Sequence, residues 1–449
     1  MKGFYLIILT FCSCLPVALR AQHTVKNNCC AYQNLAVYKT FLTDIAKTNT
    51  EKLDKKLRKD YAEIINKKNT DLITELVENN FLFDSSINQY LGAIFDHILD
   101  KTGLDKKAFH FFVNRTDAIN AYTYEDGTVV CNLGLLNIVE TESQVAMVFC
   151  HELAHYLLGH TNAGIVRTIE KFNSPEFLEQ VKEIKKEKYN TKKQLEDLLV
   201  TDLFNRRRHN RSQETMADSL GLLLFSKTGY GSAAVPQLFD LLDSSDDVTI
   251  KCTIRAFFRN ENIAADESWF VMPKKMTFGE ARKKEMVDTL KTHPDCAKRK
   301  LYAQDFFGRH PKAGPDFILS TKARLNNMKD AAIIAEAAYA KDKDRLSYYL
   351  YLLIQNDSRF VSDKSIKTEI FNLLVNFCYK IKDHSLAYVI DKPYITENTK
   401  DEYARLLKLL DDVDLKQMKQ IAGSYYEKNK AFITMNEELN THFNNLKQL

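Results

Sequence analysis

Apolar residues recur at helical spacing through most of this chain, and the places where that rhythm breaks divide it. From Leu35 to about Asn80 a lysine-rich stretch sets Leu53, Leu57, Tyr61, Ile64 and Ile65 on one stripe, which predicts amphipathic helix. A second such helix is expected from Ser86 to Asp100, with Ile87, Leu91, Ile94, Phe95 and Ile98 turned inward. The period then shortens. FHFFV at 109–113 reads as an apolar strand, and NAYTYEDGTVVCNLG at 120–134 as two short strands joined at Asp126-Gly127. Thr141 with Gln144 three residues on has the form of a capping box, ahead of Val145, Ala146, Val148 and Phe149, and Gly159 marks the end of that helix. Residues 165 to about 210 are a charged, helix-prone excursion, and another helix is expected from near Ser212 to Gly229. Beyond Gly314 the helical rhythm runs to Leu449 with no fixed repeat. The fold class expected is mainly α with a small antiparallel β-sheet.

Composition adds limits. A chain of 449 residues with 45% hydrophobic and 27% charged residues is globular, and a net charge of +4 gives no clustered footprint for nucleic acid. The opening MKGFYLIILTFCSCLPVALRAQ has Lys2, an apolar run and the small residue Ala21, the layout of a secretory signal peptide over residues 1–21. Ser13-Cys14 also permits a lipid-anchored variant. No later run reaches the roughly 20 apolar residues of a membrane span. The mature protein is therefore expected to be exported, periplasmic or secreted. Cys29, Cys30, Cys131, Cys150, Cys252, Cys296 and Cys378 are scattered and odd in number, which fits buried free thiols better than a disulfide framework.

The candidate chemistry lies in VFCHELAHYLLGH at 148–160. On a helix, His151 and His155 project from one face a turn apart, suited to two imidazoles on one ion, with Glu152 beside them to take a proton from water. The plain alternative is a pair of buried core histidines. A catalytic zinc takes three protein ligands. A third ligand further along the same segment fails, because Leu158 and Thr161 stand where a glycine and a histidine would be needed. His160 reads as a polar residue at a helix C-terminus. Glu214 is the candidate, on a helix whose Met216, Ala217, Leu220 and Leu223 belong in a core and whose Ala217 and Gly221 permit close approach. Asp218 shares the face of Glu214 and can accept a hydrogen bond from a ligating imidazole.

HELAH followed by ETMAD resembles the HExxH and ExxxD signatures of the HtpX-like, Oma-like and CAAX-prenyl-protease family of zinc metallopeptidases. The likeness runs from about Phe109 to Phe307 and takes in NAYTYEDGTVVCNLGLL and THPD at 292–295. It implies one Zn2+ per chain on His151, His155 and Glu214, with Glu152 as base, Asp218 in support and His293 reaching the active site. Polypeptide substrates are expected to pair with the edge strand at Asn120, Ala121 and Tyr122, since strand addition is a general way to hold an extended peptide; the plain alternative is sheet structure alone. Without several membrane spans, the chain looks most like the soluble periplasmic BepA-type members, which couple proteolysis to outer-membrane protein quality control.

The organisation expected is a signal peptide over 1–21, an N-terminal helical segment over 22–84, a zincin-like metallopeptidase domain over 85–310 with the charged insertion at about 165–210, and a C-terminal helical region over 311–449. The C-terminal helices are the expected contact for envelope-protein assembly partners. A competing reading makes the chain chiefly a chaperone or scaffold whose zinc site is latent.

Overall fold

The computed structural model describes residues 32–83, 85–186, 211–244, 252–271, 296–311, 313–356, 364–393 and 401–448. The signal segment 1–21, Cys29, Cys30 and His293 lie outside the described residues.

Two helices, Leu35–Glu51 and Arg58–Val77, open the described chain. Leu57, Tyr61 and Ile65 bury the expected stripe against Ile169 from beyond the metal motif. The next helix, Ser86–Thr102, has Ser85 accepting a hydrogen bond from the Asn88 N–H, and its expected inward face is buried throughout. Four short strands follow the chain order β1 (Phe81–Leu82), β2 (His110–Asn114), β3 (Ala121–Thr123) and β4 (Thr128–Asn132).

These strands form one sheet in the order β1-β2-β4-β3. The expected hairpin is present: β3 and β4 pair antiparallel around Gly127, whose φ of 92° an L side chain would resist. The sheet is mixed rather than wholly antiparallel, because β4 inserts beside β2 and runs parallel to it. Burial explains the insertion. Every residue of β4 is buried, as suits a central strand, whereas β3 alternates buried and half-buried positions as suits an edge.

One face of the sheet meets the helix Glu142–Leu157, whose Val145, Ala146, Phe149, Cys150 and Leu153 have no exposed surface. The other face is covered by Tyr38, Leu42, Leu72 and Leu76 from the first two helices. A second core, built on the helices Leu346–Asn356, Lys364–Lys382, Glu402–Asp412, Leu415–Asn429 and Glu437–Gln448, also takes in Ile254, Phe257, Phe258, Trp269 and Phe270. The helix Lys322–Asp342 bridges the two: Leu325, Met328, Ala331, Ala332 and Ala335 belong to the first core, Ala337 and Ala340 to the second. Glu142 ties the chain ahead of it in place. Its buried carboxylate accepts from the Ile318 N–H at 2.9 Å, the Leu319 N–H at 3.0 Å, the hydroxyls of Tyr90 and Tyr230 at 3.3 Å, and Ser320. Cys131, Cys150 and Cys378 are buried free thiols, Cys296 is buried and Cys252 is half-buried. Among the described residues no helix is long and apolar enough to cross a membrane.

Candidate metal centre

The histidine helix starts where the sequence places it. Thr141 accepts from the Gln144 N–H at 3.3 Å, but the Gln144 amide oxygen reaches back to the Glu140 N–H at 2.6 Å, one residue before the cap. The helix then presents His151 and His155 to the helix at 211–225. The two backbones nearly touch: a Cβ added at Gly221 would lie 3.1 Å from the His151 Cα and 3.2 Å from its nitrogen. Glu214 is two turns from Gly221 on the same face, with Asp218 between them, so close approach at Gly221 carries both carboxylates to the histidines. Of the four apolar positions expected in the core here, Ala217 is fully buried and Leu220 packs at its margin. Met216 and Leu223 instead are about half exposed among the described residues, at 49% and 50%. The helix spends one face on the carboxylates, so its apolar stripe is narrower than the residue types suggest.

Among the described residues, His151, His155 and Glu214 are where three potential ligand atoms converge, all within 4.8 Å. The two Nε2 atoms are 3.1 Å apart, and the Glu214 oxygens lie 3.3 Å from His151 Nε2 and 3.4 Å from His155 Nε2. Tetrahedral zinc with ligand bonds of about 2.0–2.1 Å needs ligand atoms about 3.3 Å apart. The cluster fits. Asp218 Oδ1 lies 3.0 Å from His151 Nδ1, the ring nitrogen turned away from the cluster.

Arg299 and Thr123 were not singled out from the sequence, and His160 was read there only as a polar residue at a helix C-terminus. Arg299, on the helix Cys296–Arg309, donates to both Asp218 oxygens at 2.9 Å and passes 3.9 Å from Glu214. It falls on the stripe of Cys296, Ala303 and Phe307, where an apolar residue is expected, and that misfit is the signal that could have found it. Thr123 of β3 donates its hydroxyl to the Glu152 carbonyl at 3.0 Å and lies 3.3 Å from the Glu152 carboxylate. His160 opens the following helix, His160–Phe172, instead of closing the histidine helix, and is buried with Nδ1 3.0 Å from His155 Nδ1.

The charges are strongly coupled. Burial opposes ionisation of Glu214, but His151, Arg299 and His155 outweigh it and hold its carboxyl down at about 2. Asp218 is likewise held below the carboxylate range against burial, by His151 and Arg299. Burial and Arg299 disfavour a proton on His151, yet Asp218 and Glu214 lift it to about 9. Burial and the neighbouring His151 push His155 down to about 3. Burial raises Glu152 to about 7. A divalent cation among these groups would displace the His151 proton and draw Glu152 towards its ionised form.

Ala121 and Tyr122 lie on the edge strand and Asn120 directly precedes it, the Asn120 carbonyl accepting from the Asn132 N–H at 3.1 Å. Tyr122 packs with Tyr124 into the cluster under the first two helices, opposite the histidine face, so only its backbone is placed to meet a peptide.

Residues 85–303 match the family model of peptidase family M48. They form an M48 peptidase domain. Relatives include the beta-barrel assembly-enhancing protease of Escherichia coli (strain K12), 32% identical over 17% of this chain and 16% of its own length. The putative beta-barrel assembly-enhancing protease of Vibrio cholerae is 25% identical over 38% of this chain and 36% of its own. The mitochondrial metalloendopeptidase OMA1 of Arabidopsis thaliana is 29% identical over 28% and 24%. The chain thus covers no more than 36% of the length of these three relatives. M48 peptidases are zinc metallopeptidases.

Proposed function

We propose that this chain is an exported zinc metalloendopeptidase that hydrolyses peptide bonds in misfolded or unassembled envelope or secreted proteins. The observation that carries the reading is the convergence of His151, His155 and Glu214 at spacings that fit zinc, with Glu152 next to the first ligand. When bound there, zinc would supply Lewis acidity, polarising the scissile carbonyl and making a water available as nucleophile near neutral pH. The carboxylate of Glu152 takes the proton of the attacking water and returns it to the leaving amine, a role open to it in the ionised form that a bound cation would favour. Asp218, fixed by Arg299, orients His151 through Nδ1. The backbone of 120–122 offers the outer edge of β3 to an extended peptide, which gives loose side-chain specificity. His293 is assigned to the site by the family resemblance alone. The division at 84 and 310, the signal peptide and a role for the C-terminal helices in meeting assembly partners belong to the same reading.

The test is zinc content measured beside hydrolysis of unfolded proteins. Glu152→Gln should keep its zinc and lose at least about 100-fold in turnover. Glu214→Ala should lose the metal. A parent chain that binds zinc but hydrolyses nothing, with Glu152→Gln indistinguishable from it, would move the assignment to a scaffold with a latent site.

A further inference from the structure

The two histidines are backed differently, and the difference concerns a residue that the proposed reaction leaves idle. His151 has a carboxylate behind it, Asp218, at 3.0 Å. His155 has another imidazole: His160 Nδ1 lies 3.0 Å from His155 Nδ1, the rings meeting edge to face at 5.0 Å and 72°. The Nε2 of His155 faces the cluster, 3.1 Å from His151 Nε2 and 3.4 Å from Glu214. A ligating Nε2 must present its lone pair, so the ring proton of His155 sits on Nδ1 and is donated outward. His160 Nδ1 is then obliged to accept it, which places the His160 proton on Nε2. That nitrogen is buried without a hydrogen-bond partner in the described structure, so this tautomer is held by the contact with His155 and by nothing on its far side.

We infer that His160 is the positioning residue of the second ligand, a neutral acceptor that fixes the tautomer and ring orientation of His155. The backbone provides for it. Gly159 takes φ 66° directly after the histidine helix, so the chain turns and returns His160 beneath His155. An imidazole accepts less strongly than a carboxylate, so His155 is the less firmly oriented of the two ligands. The inference rests on the zinc reading above.

The test compares zinc affinity, by chelator competition on the full mature chain, for the parent, His160→Asn and His160→Phe. Asparagine can place its oxygen where Nδ1 stands; phenylalanine keeps the ring and removes the acceptor. His160→Phe should bind zinc about 10- to 100-fold more weakly, whereas His160→Asn should stay within about threefold of the parent. Thermal melts of the zinc-free proteins should lie together, which separates positioning from a general loss of packing. If His160→Phe does not fold, His160→Leu, which also lacks an acceptor, takes its place with the same expectation. Equal affinity for parent and His160→Phe, or an equal loss in His160→Asn and the acceptor-free variant, overturns the inference and leaves the zinc site standing. A parent that binds no zinc removes both.

Discussion

Asp126 carries a carboxyl group into the joint between the sheet and the helices that cover it. It is 3% exposed; Oδ1 accepts from the Thr128 N–H at 2.6 Å, and Oδ2 has no hydrogen-bond partner in the described structure. Burial raises its pKa from 3.8 to about 6, so between those values the folded chain holds a proton that the unfolded chain has released. Stability from this group therefore falls as pH rises from about 4 to about 6, and the penalty is complete above that window. Asp126→Asn should stabilise the protein by up to about 3 kcal/mol at pH 7 and by little at pH 3.5, measured by urea unfolding at both values. An equal effect at the two pH values would remove the charge from the explanation. The sequence makes Asp126-Gly127 legible as a turn because turn chemistry is local. Its burial is not legible, since Tyr38, whose hydroxyl bonds Thr128, and Lys68 approach from far along the chain. The site divides in the same way. His151, Glu152 and His155 lie within one motif, and Glu214 and Asp218 follow from their spacing, whereas Thr123 and His160 matter through contacts that no spacing rule announces, and Arg299 shows only as a charge on an apolar stripe.

Between elements, the decisive contact is the crossing at Gly221. An alanine there would set its Cβ against backbone atoms of His151, which cannot swing aside as a side chain would. Gly221→Ala should cost about 1–3 kcal/mol of stability. It should also weaken zinc binding, because the separation it forces lies between the helices holding the ligands. Calorimetric melts and a zinc titration check both, and unchanged zinc affinity would mean that the crossing has slack. Helices and strands were readable as units because their periods are short-range. Their arrangement was less so. A meander would place β3 beside β2, and only the unbroken run Thr128–Asn132 set against the alternating Ala121–Thr123 hints that β4 is central.

Across the whole molecule, the two cores interleave along the chain. Ile254 to Phe270 precede the 310 position yet pack with the C-terminal helices, while Leu325 to Ala335 follow it yet pack with the peptidase core. A chain ended at residue 310 would strip five buried side chains from that core and three donors from Glu142, and a buried carboxylate left short of partners is costly. Such a truncation should give insoluble or zinc-free protein, whereas one ended after Asp342 should retain more of its zinc; soluble yield and metal content decide between them. Glu142 also bears on how this architecture could be recombined. The segment it holds, 318–320, is the address at which anything further along the chain is attached, and it is fastened to the first turn of the helix that carries His151. A chimaera that exchanges the distal helices for another module should be joined beyond the helix Lys322–Asp342, which keeps both that fastening and the five core side chains that follow it. A joint made before it would trade away part of the peptidase together with its attachment.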